Sequence, residues 1–204
     1  MPKDVVIIGA GGHAKVIADI ILCSGDNIVG FLDDNKYKQG RTIYKDHKVI
    51  GKISDVKKYE ENYFIIAIGD NYRRSDIAEK LDLKYYTAIH PKAIIADTVK
   101  IGEGTAIMAG VVINPDTKIG KHCIINTACS IDHDNTIQDF VHISPGAHLA
   151  GTVFIEEYTW VCAGVTVANN VSISSDVIVG AGATVLKNIT MAGTYVGTPA
   201  RRTE

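Results

Sequence analysis

The chain has 204 residues, of which 46% are hydrophobic and 22% charged, a composition that excludes disordered and fibrous classes. Its 21 basic and 23 acidic side chains leave a net charge of -2, so we expect no nucleic-acid-binding or anionic-membrane surface. The four cysteines form no CxxC pair, and the first apolar run, residues 5–10, is too short for a secretion signal or a membrane span. These features predict a cytoplasmic protein without membrane insertion, whose partner is a small molecule.

The first part of the chain alternates strands and helices. Residues 5–14 (VVIIGAGGHA) combine an apolar strand with a glycine-rich turn, and a helical apolar pattern follows. Residues 28–32 and 63–68 are two further predicted strands, and a helix is predicted over 75–81. This alternation predicts a small parallel α/β domain over residues 1–88, with its ligand at the carboxyl ends of the strands.

The glycine turn at residues 9–14 matches the pattern G-x-G-x-x-[GA], and Asp33 stands at about the distance of a ribose-binding acid. Glycines let the backbone approach a pyrophosphate, and the helix N-terminus that follows favours phosphate. So short a domain cannot hold a six-stranded dinucleotide fold, so a nucleotide attached to a smaller group fits better than NAD. Turn formation is an equal alternative for Asp33 and Asp34.

The second part of the chain carries a six-residue repeat. An aliphatic residue recurs every six positions from Ile95 to Val185 without a break, which neither a helix nor a simple strand alternation produces. The position four residues further on is small or β-branched throughout, except at Asn135. Two inward positions four residues apart lie on one side of a short extended segment. Three such segments close a coil of 18 residues that buries its aliphatic side chains on the next coil, which predicts a β-helix over residues 89–204.

This repeat resembles the left-handed parallel β-helix of the hexapeptide-repeat acyltransferases. With the GGHAK turn at residues 11–15 and the acid pair after the second strand, the whole chain resembles the sugar acetyltransferases of the PglD/NeuD type. The resemblance implies a Rossmann-like α/β N-terminal domain followed by an all-β left-handed β-helix. It also implies a homotrimer that moves acetyl directly from acetyl-CoA to the amine of a UDP- or GDP-linked 4-amino-dideoxy sugar, without a metal.

The histidines of the repeat are the predicted catalytic groups. His133 followed by Asp134 matches the catalytic histidine and acid of the family, with His133 as the general base, because histidine titrates near neutrality. Beside them, the inward Asn135 costs stability unless it is hydrogen-bonded, which indicates that neighbouring side chains are being positioned. His142 matches the next histidine of the family. It lies nine residues from His133, so the two could share a site only across a subunit boundary.

The resemblance also assigns the binding residues. The predicted acetyl-CoA contacts are His142, Gly151, Ala163, Ala181 and Lys187. The predicted nucleotide-sugar contacts are Gly11, Gly12, His13, Asp33, Asp34, Gly69 and Asn126. Tight corner geometry explains the two alanines equally well, and surface solubility explains Lys187. We expect His122 and His148 to be surface residues.

Other functions remain open on the sequence. O-acetylation of sialic acid or a related sugar would use the same base. A metal-dependent β-helix lyase would hold zinc with His133, His142 and His148, but their spacings of nine and six do not stack on a coil of 18. A nucleotide-sugar-binding subunit without catalysis is disfavoured by the His133–Asp134 pair.

Overall fold

The computed structural model describes residues 1–203 and divides into two compact units, of which the first is Met1–Pro91 and the second begins at Lys92. Within these described residues, no helix is both long enough and apolar enough to cross a membrane. The elements of the first unit are β1 (Asp4–Ile8), α1 (Gly12–Cys23), β2 (Asn27–Leu32), β3 (Thr42–Tyr44), β4 (His47–Gly51), a 3-10 helix (Ile53–Tyr59), β5 (Tyr63–Ile66), α2 (Asn71–Lys80) and β6 (Ala88–Ile89).

The first unit is built on a five-stranded sheet of order β3-β4-β2-β1-β5, in which β3 alone runs antiparallel to its neighbour. The apolar run of β1 is buried on both faces of the sheet, as parallel α/β sheets require. One side of the core is formed by buried side chains of β1, β2, β5 and the 3-10 helix: Val6, Ile8, Leu32, Val56, Phe64 and Ile66. The predicted α/β class is confirmed.

Some boundaries differ from the sequence prediction. Helix α2 begins at Asn71 rather than at residue 75, because the Asp70 carboxylate accepts the backbone N–H of Arg73 at 2.8 Å and caps the helix. Strand β5 ends at Ile66, two residues earlier than predicted. The sequence did not predict β3, β4 or the 3-10 helix, because these short elements lie in a polar stretch without a long apolar period.

The second unit is a left-handed parallel β-helix with three faces, as the repeat and the resemblance predicted. The strands of the first face are Ile94–Ile95, Val112–Ile113, Ser130–Ile131, His148–Leu149, Thr166–Val167 and Thr184–Val185. Those of the second face are Lys100–Ile101, Lys118–Ile119, Thr136–Ile137, Phe154–Ile155 and Ser172–Ile173. Those of the third face are Ala106–Ile107, Ile124–Ile125, His142–Ile143, Trp160–Val161, Val177–Val179, Gly193–Val196 and the antiparallel Arg201–Arg202.

The register of the strands confirms the coil of 18 residues. Ser130 pairs with His148 and His148 pairs with Thr166, so each residue lies directly above the one 18 positions earlier. Several corners between faces use a left-handed backbone conformation, for example at Asp134, where φ is 58°. Side chains 18 residues apart therefore form rows that run parallel to the axis of the β-helix.

Asn135 is the polar exception in the core of the second unit, and its side chain is fully buried. Its Nδ2 donates to the carbonyl oxygens of Asp132 at 2.7 Å and Ala150 at 3.0 Å. Its Oδ1 accepts the backbone N–H of Val153 at 3.2 Å. Because these partners belong to two successive coils, the amide ties the corner that carries His133 to the coil above.

We expect Asn135→Ala to destabilise the second unit, because the buried N–H of Val153 and the buried carbonyl of Ala150 would lose their side-chain partner. At roughly 1–3 kcal/mol for each unsatisfied group, the expected loss is about 2–4 kcal/mol in the free energy of unfolding, measured by urea denaturation. The control is Asn188→Ala, since Asn188 accepts an exposed backbone N–H at 2.9 Å and its loss costs below ~1 kcal/mol. Equal effects of the two variants would contradict this account.

Candidate active site

A pocket of about 540 Å³ lies at the carboxyl ends of β1, β2 and β5 in the first unit. The three predicted turns form its wall. Its lining includes the predicted nucleotide-sugar residues Gly11, Gly12, His13, Asp33, Asp34 and Gly69. Gly9 has a φ of 102°, and a Cβ there would lie 3.0 Å from the carbonyl oxygen of Ala67, so glycine is needed to bring the turn this close to β5. Gly11 precedes α1, so the first backbone N–H groups of that helix face the pocket and suit an anion.

The two aspartates are already engaged within the protein. Asp33 Oδ2 accepts the backbone N–H of Ala10 at 2.8 Å and the ammonium of Lys38 at 3.1 Å. Burial favours the neutral acid, but hydrogen bonds from Asn35, Lys38 and Ala10 hold the pKa of Asp33 below its ordinary value. Asp34 accepts the backbone N–H of Ile53 at 2.9 Å. The geometry therefore favours the turn-forming role for both residues over a free ribose-binding carboxylate.

His13 is the buried titratable group of this pocket. Its Nε2 atom is buried and has no hydrogen-bond partner among residues 1–203. Burial, together with the nearby charge of Arg74, lowers the pKa of His13 to about 4, so the ring is neutral at neutral pH. A neutral His13 can exchange a hydrogen bond with a ligand but brings no charge to a diphosphate.

Three cationic residues at this pocket were not identified from the sequence. Lys38 and Arg73 line it. Arg74 is 1% exposed and donates to the carbonyl oxygens of Ile68 and Gly69 at 3.0 and 3.1 Å, which fixes the loop after β5. The signal available in the sequence was the pair of arginines after the third turn, and only the helix start at Asn71 shows that they face this loop.

In the second unit, His133 and Asp134 form the predicted pair. His133 Nδ1 lies 2.7 Å from Asp134 Oδ2, and both side chains are more than half exposed. The hydrogen bond from Asp134 raises the pKa of His133, with a further contribution from Asp132. A Cβ on Gly151 would lie 2.7 Å from the imidazole Nε2, so the glycine one coil above leaves the space that the ring occupies. The shorter acid of this chain thus still reaches the imidazole.

His142 lies on the third face and not at the corner of His133. Its ring stacks on Trp160, with centroids 5.7 Å apart and planes 6° apart. Asn126, predicted as a nucleotide-sugar contact, lies instead with its Nδ2 at 3.2 Å from His142 Nε2. A single chain therefore separates His133 from the group formed by Asn126, His142 and Trp160.

The remaining predicted acetyl-CoA residues occupy two corner rows. Ala163 and Ala181 are exposed and stack one above the other, with the N–H of Gly182 donating to the Ala163 carbonyl at 2.9 Å. Lys187 stands in the row of His133 and Gly151 and lines a cavity of about 310 Å³ near Arg201. These rows provide small side chains and exposed cations along the outside of the β-helix.

The prediction that His122 is a surface residue is wrong. Only 4% of it is exposed, because its ring stacks on Phe140 one coil above, 5.3 Å away and nearly parallel. His148 is exposed, as predicted, and its Nδ1 lies 2.8 Å from Ser130 Oγ. In residues 1–203 of one chain, the side chains that bring metal-ligand atoms within 4.8 Å of one another are Asp19, Cys23 and His90, which do not include the histidines of the metal-lyase alternative.

A small nucleotide-type α/β unit joined to a hexapeptide β-helix with a corner His–Asp pair defines the class of the sugar acyltransferases. Residues 4–81 match the PglD N-terminal domain family, and residues 98–133 match the family "Bacterial transferase hexapeptide (six repeats)". A relative in Bacillus subtilis (strain 168), UDP-N-acetylbacillosamine N-acetyltransferase, is 40% identical over 109 residues, which are 50% of this chain and 50% of that protein. A mimivirus protein of undescribed function is 40% identical over 101 residues but only 20% of it is covered, so the chain spans half or less of both curated relatives.

Solved structures match over the full length. PerB from Caulobacter crescentus, in complex with CoA and GDP-perosamine, superposes with a TM-score of 0.93 at 34% identity over 98% of this chain and 97% of that one. The acetyltransferase domain of PglB from Neisseria gonorrhoeae, in complex with acetyl coenzyme A, gives the same TM-score and identity over 100% of both chains. The chain belongs to the PglD/NeuD-type sugar acetyltransferases of the hexapeptide-repeat superfamily.

We expect Asp134→Asn to lower the pKa of His133 towards its ordinary value of 6.5, because the amide no longer stabilises the imidazolium. The measurement is an NMR titration of the His133 ring. Asp116→Asn is the matched control, since Asp116 occupies the same corner one coil below and has the same left-handed conformation. If both variants lowered the pKa equally, the general field of the acidic corner and not the hydrogen bond would set it.

Acid should destabilise the first unit through His13. The unfolded chain binds a proton at this histidine below about pH 6.5, while the folded chain does so only near pH 4, so stability falls as the pH decreases between these values. We expect His13→Gln to lose less stability than the wild type between pH 7 and pH 5, as measured by urea midpoints. His47→Gln, in strand β4, controls for removal of an imidazole, and an identical pH dependence of the wild type and His13→Gln would refute the role of His13.

Proposed function

We propose that the protein is an acetyl-CoA-dependent N-acetyltransferase that acts on the amine of a nucleotide-linked 4-amino-dideoxy sugar. The observation that carries this proposal is the His133–Asp134 pair beneath Gly151, in a chain that matches over its whole length a GDP-perosamine complex with CoA. The nucleotide is a UDP or a GDP, since the relatives include one enzyme named for each type of sugar.

His133 is the general base of the proposed reaction. The imidazole takes a proton from the sugar amine as its nitrogen attacks the thioester carbon, and the Asp134 carboxylate stabilises the imidazolium that forms. The C–S bond of the tetrahedral intermediate then breaks, and the proton on His133 passes to the departing thiolate. The Gly151 backbone lies at the imidazole, where an N–H donor would face the oxygen of the thioester.

The two units divide the binding of the substrates in this proposal. In the first unit, the N-terminus of α1 with Lys38 and Arg73 supplies the positive potential that a diphosphate needs. Gly11, Gly12 and Gly69 present backbone without side chains at that pocket, and His13 offers a neutral hydrogen bond. In the second unit, the corner rows of Ala163 and Ala181 and of Gly151 and Lys187 accommodate the pantetheine arm and the phosphates of acetyl-CoA.

A homotrimer completes the proposed site. His133 and His142 lie on separate parts of one β-helix, so a histidine pair at one reaction centre requires His142 of a neighbouring copy. Grooves between three copies supply that arrangement, and sedimentation equilibrium tests the oligomeric state directly. We place the reaction in the cytoplasm, where acetyl-CoA and nucleotide sugars are both made.

The test is thiol release from acetyl-CoA with a panel of UDP- and GDP-linked 4-amino sugars and free sialic acid. We expect turnover with an amino sugar, and His133→Ala should lower kcat/KM by about 100- to 10,000-fold, the usual contribution of a general base. Because Asp134 raises the pKa of His133, the activity of Asp134→Asn should reach its plateau at a lower pH than that of the wild type.

His47→Ala controls for loss of a histidine outside both pockets, and calorimetry with CoA shows whether each variant still binds the cofactor. Turnover with sialic acid alone would replace the proposal with O-acetylation. Binding of both substrates without any thiol release would overturn the enzymatic function and favour a binding subunit.

A further inference from the structure

The third face of the β-helix carries a polar and aromatic cluster around His142, made of Asn126, His142, Ser144 and Trp160. Trp160 pairs in register with His142 on the next coil, and the two rings stack with an angle of 6° between their planes. The indole is itself fixed, because its Nε1–H donates to Ser144 Oγ at 2.8 Å. A ring stacked on a fixed indole keeps its plane, so Trp160 sets the orientation of the imidazole.

Asn126 contacts the same imidazole along its edge. Asn126 Oδ1 accepts the backbone N–H of Thr127 at 2.8 Å, which determines the orientation of the amide, since a second N–H in that place would face a donor. The amide Nδ2 therefore points to His142 Nε2, 3.2 Å away. Because Nδ2 can only donate, Nε2 must carry the lone pair, and the proton of the neutral ring is on Nδ1.

We propose that Asn126 and Trp160 are positioning residues that hold His142 as its neutral Nδ1–H tautomer, with a fixed ring plane, and so make Nδ1 the hydrogen-bond donor of this histidine. The identity of the ligand rests on the proposed function: in an acetyltransferase, the group that such a donor suits is the thioester oxygen, whose negative charge grows during the attack. The tautomer itself does not depend on the reaction.

The tautomer matters because the two ring nitrogens act in opposite ways. A preorganised N–H directed at a developing oxyanion lowers the barrier, whereas a lone pair at the same place repels the charge. A histidine free to exchange tautomers would present the wrong atom for part of the time. This role for Asn126 differs from a direct contact with the nucleotide sugar, and the two can be separated by experiment.

The first experiment measures the side-chain ¹⁵N shifts of the histidines in the protein without substrates, with His142 assigned by comparison with His142→Gln. We expect the shifts of an Nδ1–H tautomer at His142. In Asn126→Asp, the carboxylate faces Nε2 and needs a proton there, so the ring should become the Nε2–H tautomer or the imidazolium. Asn62→Asp, in a loop of the first unit, is the control for the added charge and should leave the shifts unchanged.

The second experiment uses Trp160 as a reporter, because it is the single tryptophan of the chain. An imidazolium quenches a stacked indole, so the emission should fall as His142 becomes protonated, and His142→Gln should abolish this change. In Asn126→Asp the midpoint of the emission change should move to a higher pH. An emission that does not depend on His142 would contradict the stacked arrangement.

Kinetics of the same variants separate positioning from mere stability. We expect Asn126→Asp to lower kcat by about 100-fold, the usual effect of losing one oxyanion donor, with little change in the KM for the sugar. Trp160→Phe should restore most of the kcat that Trp160→Ala loses, since phenylalanine keeps the stack. A higher KM for the sugar at unchanged kcat in Asn126→Asp would assign Asn126 to the sugar and overturn the proposal.

The outcomes distinguish this proposal from the proposed function. An Nδ1–H shift in a protein that transfers no acetyl group would leave the positioning of His142 intact and remove its ligand. An Nε2–H shift in an active acetyltransferase would overturn the positioning and leave the enzyme. Circular dichroism of Trp160→Ala shows whether that variant is folded, and Asn126→Asp provides an independent test if it is not.

Discussion

The contact on which the second unit depends is the packing of each inward side chain on the residue 18 positions away. A coil of three short strands cannot bury its own aliphatic side chains and is stable only when the next coil covers them. Every position therefore becomes a row, and a side chain must suit the coils on either side. Asn135 meets this demand by bonding backbone groups of two coils, and the corner of His133 is held in place as a result.

The protein places the same side chain in two opposite electrostatic environments. His13 is surrounded by protein near a cationic arginine, so its pKa falls to about 4 and the ring stays neutral. His133 is exposed beside a carboxylate, so its pKa rises and the imidazolium is favoured. The first environment suits a hydrogen bond to a ligand without adding charge. The second suits a group that gains and returns a proton during each reaction.

Much of the fold could be predicted because its cause is local in the sequence. A period of six residues is visible without knowing any contact, and the His133–Asp134 pair consists of neighbours. The errors concern contacts that depend on register. The burial of His122 requires Phe140 above it, and the pairing of Asn126 with His142 joins residues 16 apart. The aspartates after β2 illustrate a further difficulty, because their residue type suits a ligand and a loop equally well, and only the N–H groups around them decide.

Construction from rows gives this protein a reading frame in its backbone. Loss or gain of one hexad would turn every later residue by a third of a revolution, so that a side chain of the third face would move to another face. Loss or gain of a whole coil would leave each later residue on its own face and change only the height along the axis. The distance between His133 and the far end of the β-helix can therefore change during evolution in steps of one coil. The separation of nine residues between His133 and His142 cannot change at all without dismantling the site.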